Sequence, residues 1–323
     1  MIKSTAVAAV RIPPVDKDLN PLALGGSVFG TDPWEGEERA NLLAALEAAL
    51  QSGINHFDTA YGYGDGQSER LLGQFLAERR ERIFLASKAD LDEMDAGLML
   101  AQVNQSLTRL QTDVIDLYYI HWPRRGKDLR PVMEGLEKAR QQGKIRAVGV
   151  SNFSVEQMEQ VAEVGQINAH QLGYNLFWRV AEKEIFPYCR QHHIAVVTYS
   201  SIAQGILTGK FPRQLHLSPG DQRAGIVFFD EAVWPYIYVG VEQLKLLAQE
   251  IDRPLTHLAI RWVLHQADIN TAVVGARHAQ QVECNVEALA GDIPPEIFER
   301  MTEISDAVIL HIPDTGNMYR YYP

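Results

Sequence analysis

The chain has 323 residues and a formal net charge of -11 at pH 7, with 46% hydrophobic and 22% charged residues. This composition is typical of a globular protein with a large core, and the absence of any lysine and arginine run argues against a nucleic-acid partner. No apolar run approaches the roughly 20 residues that span a bilayer, so no membrane segment is expected. Small molecules are the expected partners.

The two cysteines, Cys189 and Cys284, are too few and too isolated for a disulfide framework or a clustered zinc site. A reducing cytoplasm is therefore the expected location. The first residues, "MIKSTAVAAVRIPP", contain one lysine and a short apolar stretch that Arg11 interrupts. They do not predict a secretory signal.

Short apolar runs alternate with longer amphipathic runs along most of the chain. The runs predicted as strands are residues 21–28, 55–60, 82–89, 114–122, 145–152, 169–175, 195–201 and 271–276. The runs between them have helical spacing: one ends at Gly53, and another begins with the capping-box pair Ser154 and Gln157. This order predicts an α/β protein in which residues 1–323 form a single (β/α)8 TIM barrel rather than two doubly wound domains.

Two features depart from a simple alternation. Two helical segments, 238–251 and 254–266, follow one another before the last predicted strand. They are preceded by an irregular stretch, 205–236, with several Gly and Pro residues. A long excursion of this kind usually serves a binding or catalytic site.

In a TIM barrel the active site lies at the carboxyl ends of the strands. The polar residues at or just beyond the predicted strand ends are Asp58, Tyr63, Lys88, His121, Ser151, Asn152, Gln171, Tyr199, Ser201 and Arg277. An acid, a lysine, a tyrosine and a histidine from neighbouring strands form a plausible proton-donating unit. A lysine cation favours the phenolate of Tyr63, Asp58 can hold that cation, and His121 can donate a second hydrogen bond to a substrate oxygen.

The motifs that carry these residues resemble the aldo-keto reductase family. They are, in order, "FDTAYGYGDGQSERLLG", "FLASKA", "DLYYIHWP", "GKIRAVGVSNFS", "YNLFWRVAEKEIFPYC", "SSIAQGILTGKF" and "VVGARHAQQVECNVEAL". The resemblance covers residues 21 to 290. It implies a barrel that binds NADP(H) or NAD(H) across its mouth and transfers a hydride to or from a small aldehyde, ketone or sugar.

The resemblance also implies roles for individual residues. Tyr63 is the expected acid/base, and Asp58, Lys88 and His121 complete its catalytic tetrad. The expected cofactor residues are Ser151, Asn152 and Gln171 at the nicotinamide amide, Tyr199 on its ring, Ser201, Leu207, Gly209 and Lys210 at the pyrophosphate, and Gly275, Arg277, Gln281 and Asn285 towards the adenosine.

This sequence departs from the family pattern at the adenosine end. Some members have a lysine at the position of Gly275 and an arginine at that of Gln281, and both contact the 2'-phosphate. Arg277 is then the main candidate for that phosphate, which favours NADP(H) over NAD(H). Cys284 replaces a glutamate common in the family, which puts one hydrogen bond to the adenosine in doubt.

Several alternatives stay open. Gly62, Gly64 and Gly66 do not have the spacing of a dinucleotide-binding loop, and they predict a sharp turn before a helix near residue 67. No histidine has a carboxylate at zinc-binding spacing, so no metal is expected. The aromatic tail "NMYRYYP" is either a frayed end or a flap over the barrel mouth.

The substrate pocket and the class of function also have alternative interpretations. Trp34 and Trp122 are expected to line the substrate pocket, although each could instead be a core aromatic. A cofactor-sensing regulatory protein, similar to potassium-channel β subunits, is the alternative to an enzyme, and a metal-dependent barrel hydrolase is a more remote one. The physiological substrate, the reaction direction and the oligomeric state are not fixed by the sequence.

Overall fold

A computed structural model of the chain describes residues 9–30, 37–76 and 78–321. Trp34 and the apolar stretch at residues 1–8 lie outside these described residues. Within the described ranges, no helix is long and apolar enough to cross a membrane.

Eight parallel strands form a closed barrel that follows an N-terminal antiparallel hairpin. The hairpin consists of β1 (Val10–Ile12) and β2 (Val15–Leu19). The barrel strands are β3 (Leu22–Gly25), β4 (His56–Asp58), β5 (Phe84–Ala89), β6 (Ile115–Ile120), β7 (Ile145–Ser151), β8 (Ala169–Gly173), β9 (Ala195–Tyr199) and β10 (Ile269–Gly275). Each strand pairs with the next, and β10 pairs with β3 to close the barrel. The predicted parallel barrel is confirmed.

Helices lie around the barrel, most of them between successive strands. They are α1 (Glu37–Gln51), α2 (Gln67–Leu76), α3 (Ala96–Leu110), α4 (Arg130–Gln141), α5 (Val155–Ala162), α6 (Ile185–Gln191), α7 (Trp234–Glu250), α8 (Leu255–His265), α9 (Ala279–Glu287) and α10 (Pro295–Ile309). The two successive helices predicted before the last strand are α7 and α8. The predicted capping box of α5 is also present: Ser154 Oγ accepts from the Gln157 amide, and the Gln157 side chain accepts from the Ser154 amide.

The hairpin closes the amino end of the barrel. Ile12 and Val15 pack into one buried cluster with Phe84, Leu117 and Tyr119, whose side chains fill the barrel interior at that end. Every residue of β5 and β6 is buried, as expected for strands covered on both faces. Apolar packing therefore fills the barrel interior at its amino end.

Candidate active site

Lys88 links three oxygen atoms at the carboxyl end of the barrel. It lies near the end of β5, and its buried ammonium donates to Asp58 Oδ1 at 2.5 Å and to the Thr59 carbonyl at 2.9 Å. Its Nζ also lies 3.5 Å from the Tyr63 hydroxyl. The second oxygen of Asp58 accepts from Gln171 Nε2 at 2.7 Å. Asp58, Lys88, Tyr63 and Gln171 thus form one hydrogen-bonded group.

The pKa values of Tyr63 and Lys88 both rise in this environment. Burial raises the pKa of the Tyr63 phenol above 10, and the Lys88 cation acts in the opposite direction without cancelling it. Burial alone would lower the pKa of Lys88, but the Asp58 carboxylate and the Tyr63 oxygen outweigh it and raise that pKa above 10.5. The sequence suggested that the lysine would favour the phenolate, whereas in the structure the net effect favours a protonated phenol.

His121 lies beside Tyr63 and has its own carboxylate partner. The two rings meet edge to face with their centroids 5.7 Å apart. His121 Nδ1 lies 2.7 Å from Asp90 Oδ1, a contact that the sequence analysis did not anticipate. Asp90 directly follows β5, so the rule that polar groups at strand ends form the site would have found it.

The glycine-rich segment after β4 is a turn, as predicted, and α2 begins directly after it at Gln67. Gly64 and Gly66 have φ values of 57° and 80°, in the left-handed region that glycine tolerates. The turn directs Tyr63 into the cleft at the barrel mouth. Tyr61 points elsewhere: its hydroxyl donates to Gln105 at 2.7 Å, and Arg109 stacks over its ring at 4.2 Å.

A cleft of about 1220 Å³ opens at the carboxyl ends of the strands. Asp58, Tyr63 and His121 lie in its wall, and Trp122 lies at its edge beside Tyr321, with ring centroids 4.9 Å apart. The predicted cofactor residues that also line the cleft are Asn152, Gln171, Tyr199, Ser201, Lys210, Gly275, Arg277 and Gln281.

Four predicted cofactor residues do not line this cleft. Ser151 is buried below Asn152, whose side chain donates to its hydroxyl at 3.1 Å. The amides of Leu207 and Gly209 already donate to Ile202 and Ile206 within their own loop. Asn285 is buried in α9. None of these four residues is part of the cleft wall.

The walls hold polar groups that suit a charged, extended ligand. Ser201 Oγ is buried and has no hydrogen-bond partner among the described residues. Lys210 and Arg277 are exposed and form no ion pair within the described chain, whereas Arg223 is paired with Asp221. An orphaned hydroxyl and two unpaired cations are fitting partners for phosphate oxygens.

The described part of the C-terminal tail forms a flap beside the mouth rather than a frayed end. Met318 is buried, and its carbonyl accepts from the Val227 amide at 3.0 Å. The Tyr319 ring is stacked against Tyr199 with a centroid distance of 6.1 Å. Its hydroxyl accepts from Gln204 Nε2 at 2.8 Å. Nothing in the tail's own sequence predicts these contacts, because they depend on which part of the barrel it meets.

A metal centre has no candidate ligands in the described parts of the chain, where no group of three or more His, Cys, Asp or Glu residues could hold an ion. Both cysteines are free, and Cys189 is buried.

Comparison with known proteins identifies the family of this chain. The model of the Aldo/keto reductase family matches residues 21–306. The sequence is 35% identical to aldo-keto reductase YhdN of Bacillus subtilis (strain 168) over 87% of this chain and 86% of that protein. It is 30% identical to the NADH-specific methylglyoxal reductase of Escherichia coli (strain K12) over 91% of this chain and 97% of that protein.

Solved structures agree. The glycerol dehydrogenase AKR11B4 of Gluconobacter oxydans is 32% identical, with a TM-score of 0.85 over 96% of this chain and 97% of that one. An aldo/keto reductase of Klebsiella pneumoniae, solved with NADP and acetate, is 26% identical, with a TM-score of 0.75 over 96% and 98% of the two chains. The chain belongs to the aldo/keto reductase family, and it is an NAD(P)-dependent oxidoreductase.

Proposed function

We propose that the protein transfers a hydride between NADP(H) and the carbonyl or alcohol of a small aldehyde, ketone or sugar, with Tyr63 as the general acid and base. One observation carries this proposal. The Tyr63 hydroxyl lies in the cleft, 3.5 Å from the ammonium of Lys88, which is itself held by a buried ion pair with Asp58. A phenol held in this way is suited to exchange a proton with a substrate oxygen.

The residues of the cleft fit a nicotinamide dinucleotide. When bound, the nicotinamide supplies or accepts the hydride. Gln171, Asn152 and Tyr199 line the cleft where the carboxamide and the nicotinamide ring would lie. The orphaned Ser201 hydroxyl and Lys210 are suited to the phosphates.

Each tetrad residue has a distinct role in this proposal. The raised pKa of Tyr63 keeps its phenol protonated at neutral pH, so it can donate to a carbonyl oxygen as negative charge develops there. Lys88 stays cationic and stabilises the phenolate that remains. Asp58 holds Lys88 in place, and His121, which lies beside Tyr63, contacts the same substrate oxygen.

The charges at the far end of the cleft favour NADP(H). Arg277 follows β10, is exposed, and forms no ion pair with the described residues, so its guanidinium is free to take a bidentate phosphate. The bound NADP of the Klebsiella relative supports this preference, while the E. coli relative is NADH-specific. The two free thiols fit a reducing cytoplasm, where we place the reaction.

The direct test mixes the protein with NADPH or NADH and a panel of aldehydes, ketones and sugars, and with the oxidised cofactors and alcohols. Methylglyoxal and glycerol belong in the panel because the names of two relatives contain them. We expect a change in absorbance at the reduced nicotinamide band with at least one pair. If the cofactor quenches tryptophan fluorescence but no substrate turns over in either direction, the protein is a cofactor sensor and the proposed reaction is wrong.

A further inference from the structure

Asp90 is held in one orientation by three neighbours from different parts of the chain. Its Oδ1 faces His121 Nδ1 at 2.7 Å, and its Oδ2 accepts from the Gly62 amide at 3.1 Å. The Gln102 side chain on α3 accepts from the Asp90 amide at 3.0 Å and donates to the Asp90 carbonyl at 2.6 Å. Both the main chain and the carboxylate of Asp90 are therefore fixed.

The turn after β4 leaves space for this carboxylate. A Cβ atom at Gly62 would lie 2.5 Å from Asp90 Oδ2, closer than any unstrained contact. On the other side, the His121 amide donates to the Ala89 carbonyl at 3.1 Å, which fixes the histidine backbone beside the loop that carries Asp90. A side chain at position 62 would displace the carboxylate from His121.

The carboxylate determines which nitrogen of His121 carries a proton. Burial alone would raise the pKa of Asp90, but the hydrogen bond and charge of His121, the Lys88 cation and the Gly62 amide together lower it below 3.8. Asp90 is therefore ionised at neutral pH and can only accept hydrogen bonds. The proton between the two groups belongs to Nδ1, which leaves Nε2 for the substrate.

We propose that Asp90 is a positioning residue that keeps a proton on Nδ1 of His121, so that the charge state of His121 determines whether Nε2 donates to or accepts from the substrate oxygen. This inference rests on the proposed function. The doubly protonated imidazolium donates from Nε2 to a carbonyl oxygen during reduction. The neutral imidazole has a bare Nε2, which accepts from the hydroxyl of an alcohol during oxidation.

Other titratable groups lie near this pair. Asp58 and Tyr63 come from β4 and the turn after it, Lys88 comes from β5, and Tyr319 comes from the tail. Tyr63 and Lys88 have raised pKa values and titrate only in strongly alkaline solution. Burial raises the pKa of Tyr319 to about 12. None of these three groups loses its proton at neutral pH, so the proton arrangement of the pair depends on Asp90 and His121 themselves.

The substitution Asp90→Asn reverses the proton arrangement. The Gly62 amide needs an acceptor, so the new amide oxygen takes the place of Oδ2 and the amide nitrogen faces His121 Nδ1. His121 then accepts at Nδ1 and carries its proton on Nε2 as a neutral imidazole. Carbonyl reduction by this variant no longer needs the imidazolium.

The first experiment measures kcat/KM against pH for the carbonyl of the panel that is reduced fastest, with NADPH. In the wild type, kcat/KM should fall as the pH rises, because Nε2 donates only when the ring is doubly protonated. In Asp90→Asn that fall should be absent, and at the acid end kcat/KM should be about 10-fold lower because a neutral donor replaces a charged one. The control is Asp92→Asn, an exposed carboxylate paired with Arg124, which should keep the wild-type profile.

The second experiment does not depend on turnover. Nitrogen NMR shifts of the histidine rings are recorded for the wild type with NADP⁺ bound, and His121→Gln identifies the signal of His121. A proton on Nδ1 in the neutral form supports the inference, and a neutral ring protonated on Nε2 overturns it. So does an Asp90→Asn pH profile identical to that of the wild type. A wild type that transfers no hydride contradicts the proposed function instead, and the NMR result still decides the role of Asp90.

Discussion

At the candidate active site, the buried side chain of Lys88 uses all of its hydrogen-bond donors. The buried ammonium of Lys88 has three hydrogens, and three oxygens lie within reach: a carboxylate, a backbone carbonyl and the phenol of Tyr63. Neutralising or shortening this side chain would leave Asp58 as an uncompensated buried charge, which costs about 3–5 kcal/mol. Lys88 therefore contributes to the stability of the barrel mouth as well as to the proposed chemistry.

Arg277 gives a test of cofactor preference at the same scale. The change Arg277→Ala should raise the Kd for NADPH by about 10- to 100-fold, because one charge-assisted phosphate contact is lost. The Kd for NADH should change less than about 2-fold. Tryptophan quenching measures both values, and Arg82→Ala, an exposed arginine at the opposite end of the barrel, is the control. An equal rise in the Kd for both cofactors would show that Arg277 does not contact the 2'-phosphate.

At the scale of elements, the turn between β4 and α2 aims Tyr63 at the cleft. The turn packs backbone to backbone against the loop after β3: a Cβ at Gly64 would lie 2.6 Å from Gly30 Cα, and one at Gly30 would lie 2.5 Å from the Tyr63 carbonyl carbon. Two glycines therefore allow the approach that fixes the tyrosine backbone. The proposed catalytic position of Tyr63 therefore depends on these two glycines.

The change Gly64→Ala should impair both stability and activity. It combines a left-handed φ of 57° with a clash against backbone atoms that have no room to move. We expect a loss of about 2–4 kcal/mol in the free energy of unfolding and at least about a 10-fold loss in kcat. Gly143→Ala has a φ of 72° but no atom within 4 Å, so it should cost only about 1–2 kcal/mol and keep kcat. Urea titration and steady-state rates measure both; equal kcat values for the two variants would contradict this account.

The sequence predicts the elements and the tetrad for the same physical reason. Strands buried on both faces are short apolar runs, and the polar residue at the end of such a run must lie at the mouth of the barrel. Asp58, Lys88 and His121 all occupy such ends. Leu207 and Gly209 were placed by resemblance alone, and the structure uses their amides inside their own loop.

Contacts between distant parts of the chain could not be predicted from the sequence. Tyr319 reaches Tyr199 because Met318 packs over Gly173, where a side chain would clash with it. Such a contact leaves no periodic or local signal in either segment. The hairpin of β1 and β2 was also missed, because its strands are short and mix charged with apolar residues.

At the scale of the whole molecule, two neutral histidines buried in the barrel wall limit its stability in acid. Burial lowers the pKa of His56 to about 4 and that of His170 to about 3. An unfolded histidine has a pKa of about 6.5. At a pH between the folded and the unfolded pKa of each histidine, the unfolded chain binds a proton that the folded chain does not bind. Lowering the pH therefore favours unfolding.

The free energy of unfolding should therefore fall as the pH drops from 6.5 towards 4, by about 1.4 kcal/mol per pH unit for each of the two histidines. His56 has no hydrogen-bond partner among the described residues, so His56→Leu should leave the free energy of unfolding at pH 7 nearly unchanged. The variant should also lose the contribution of one histidine to the fall in that free energy with decreasing pH. Urea titrations at pH 7 and 5 measure the effect, with exposed His216→Gln as the control. A slope unaltered in His56→Leu would contradict the assignment.

The proposal as a whole depends on which of two neighbouring tyrosines exchanges the proton. The measurement is kcat and cofactor Kd for Tyr63→Phe and Tyr61→Phe, made with one reduced carbonyl. Tyr63→Phe should lower kcat by about 10²- to 10⁴-fold and leave cofactor affinity within about 2-fold, because only the acid is removed. Tyr61→Phe loses one hydrogen bond to Gln105, outside the cleft, and should keep nearly full activity. Full activity in Tyr63→Phe, or its loss in Tyr61→Phe alone, would contradict the account.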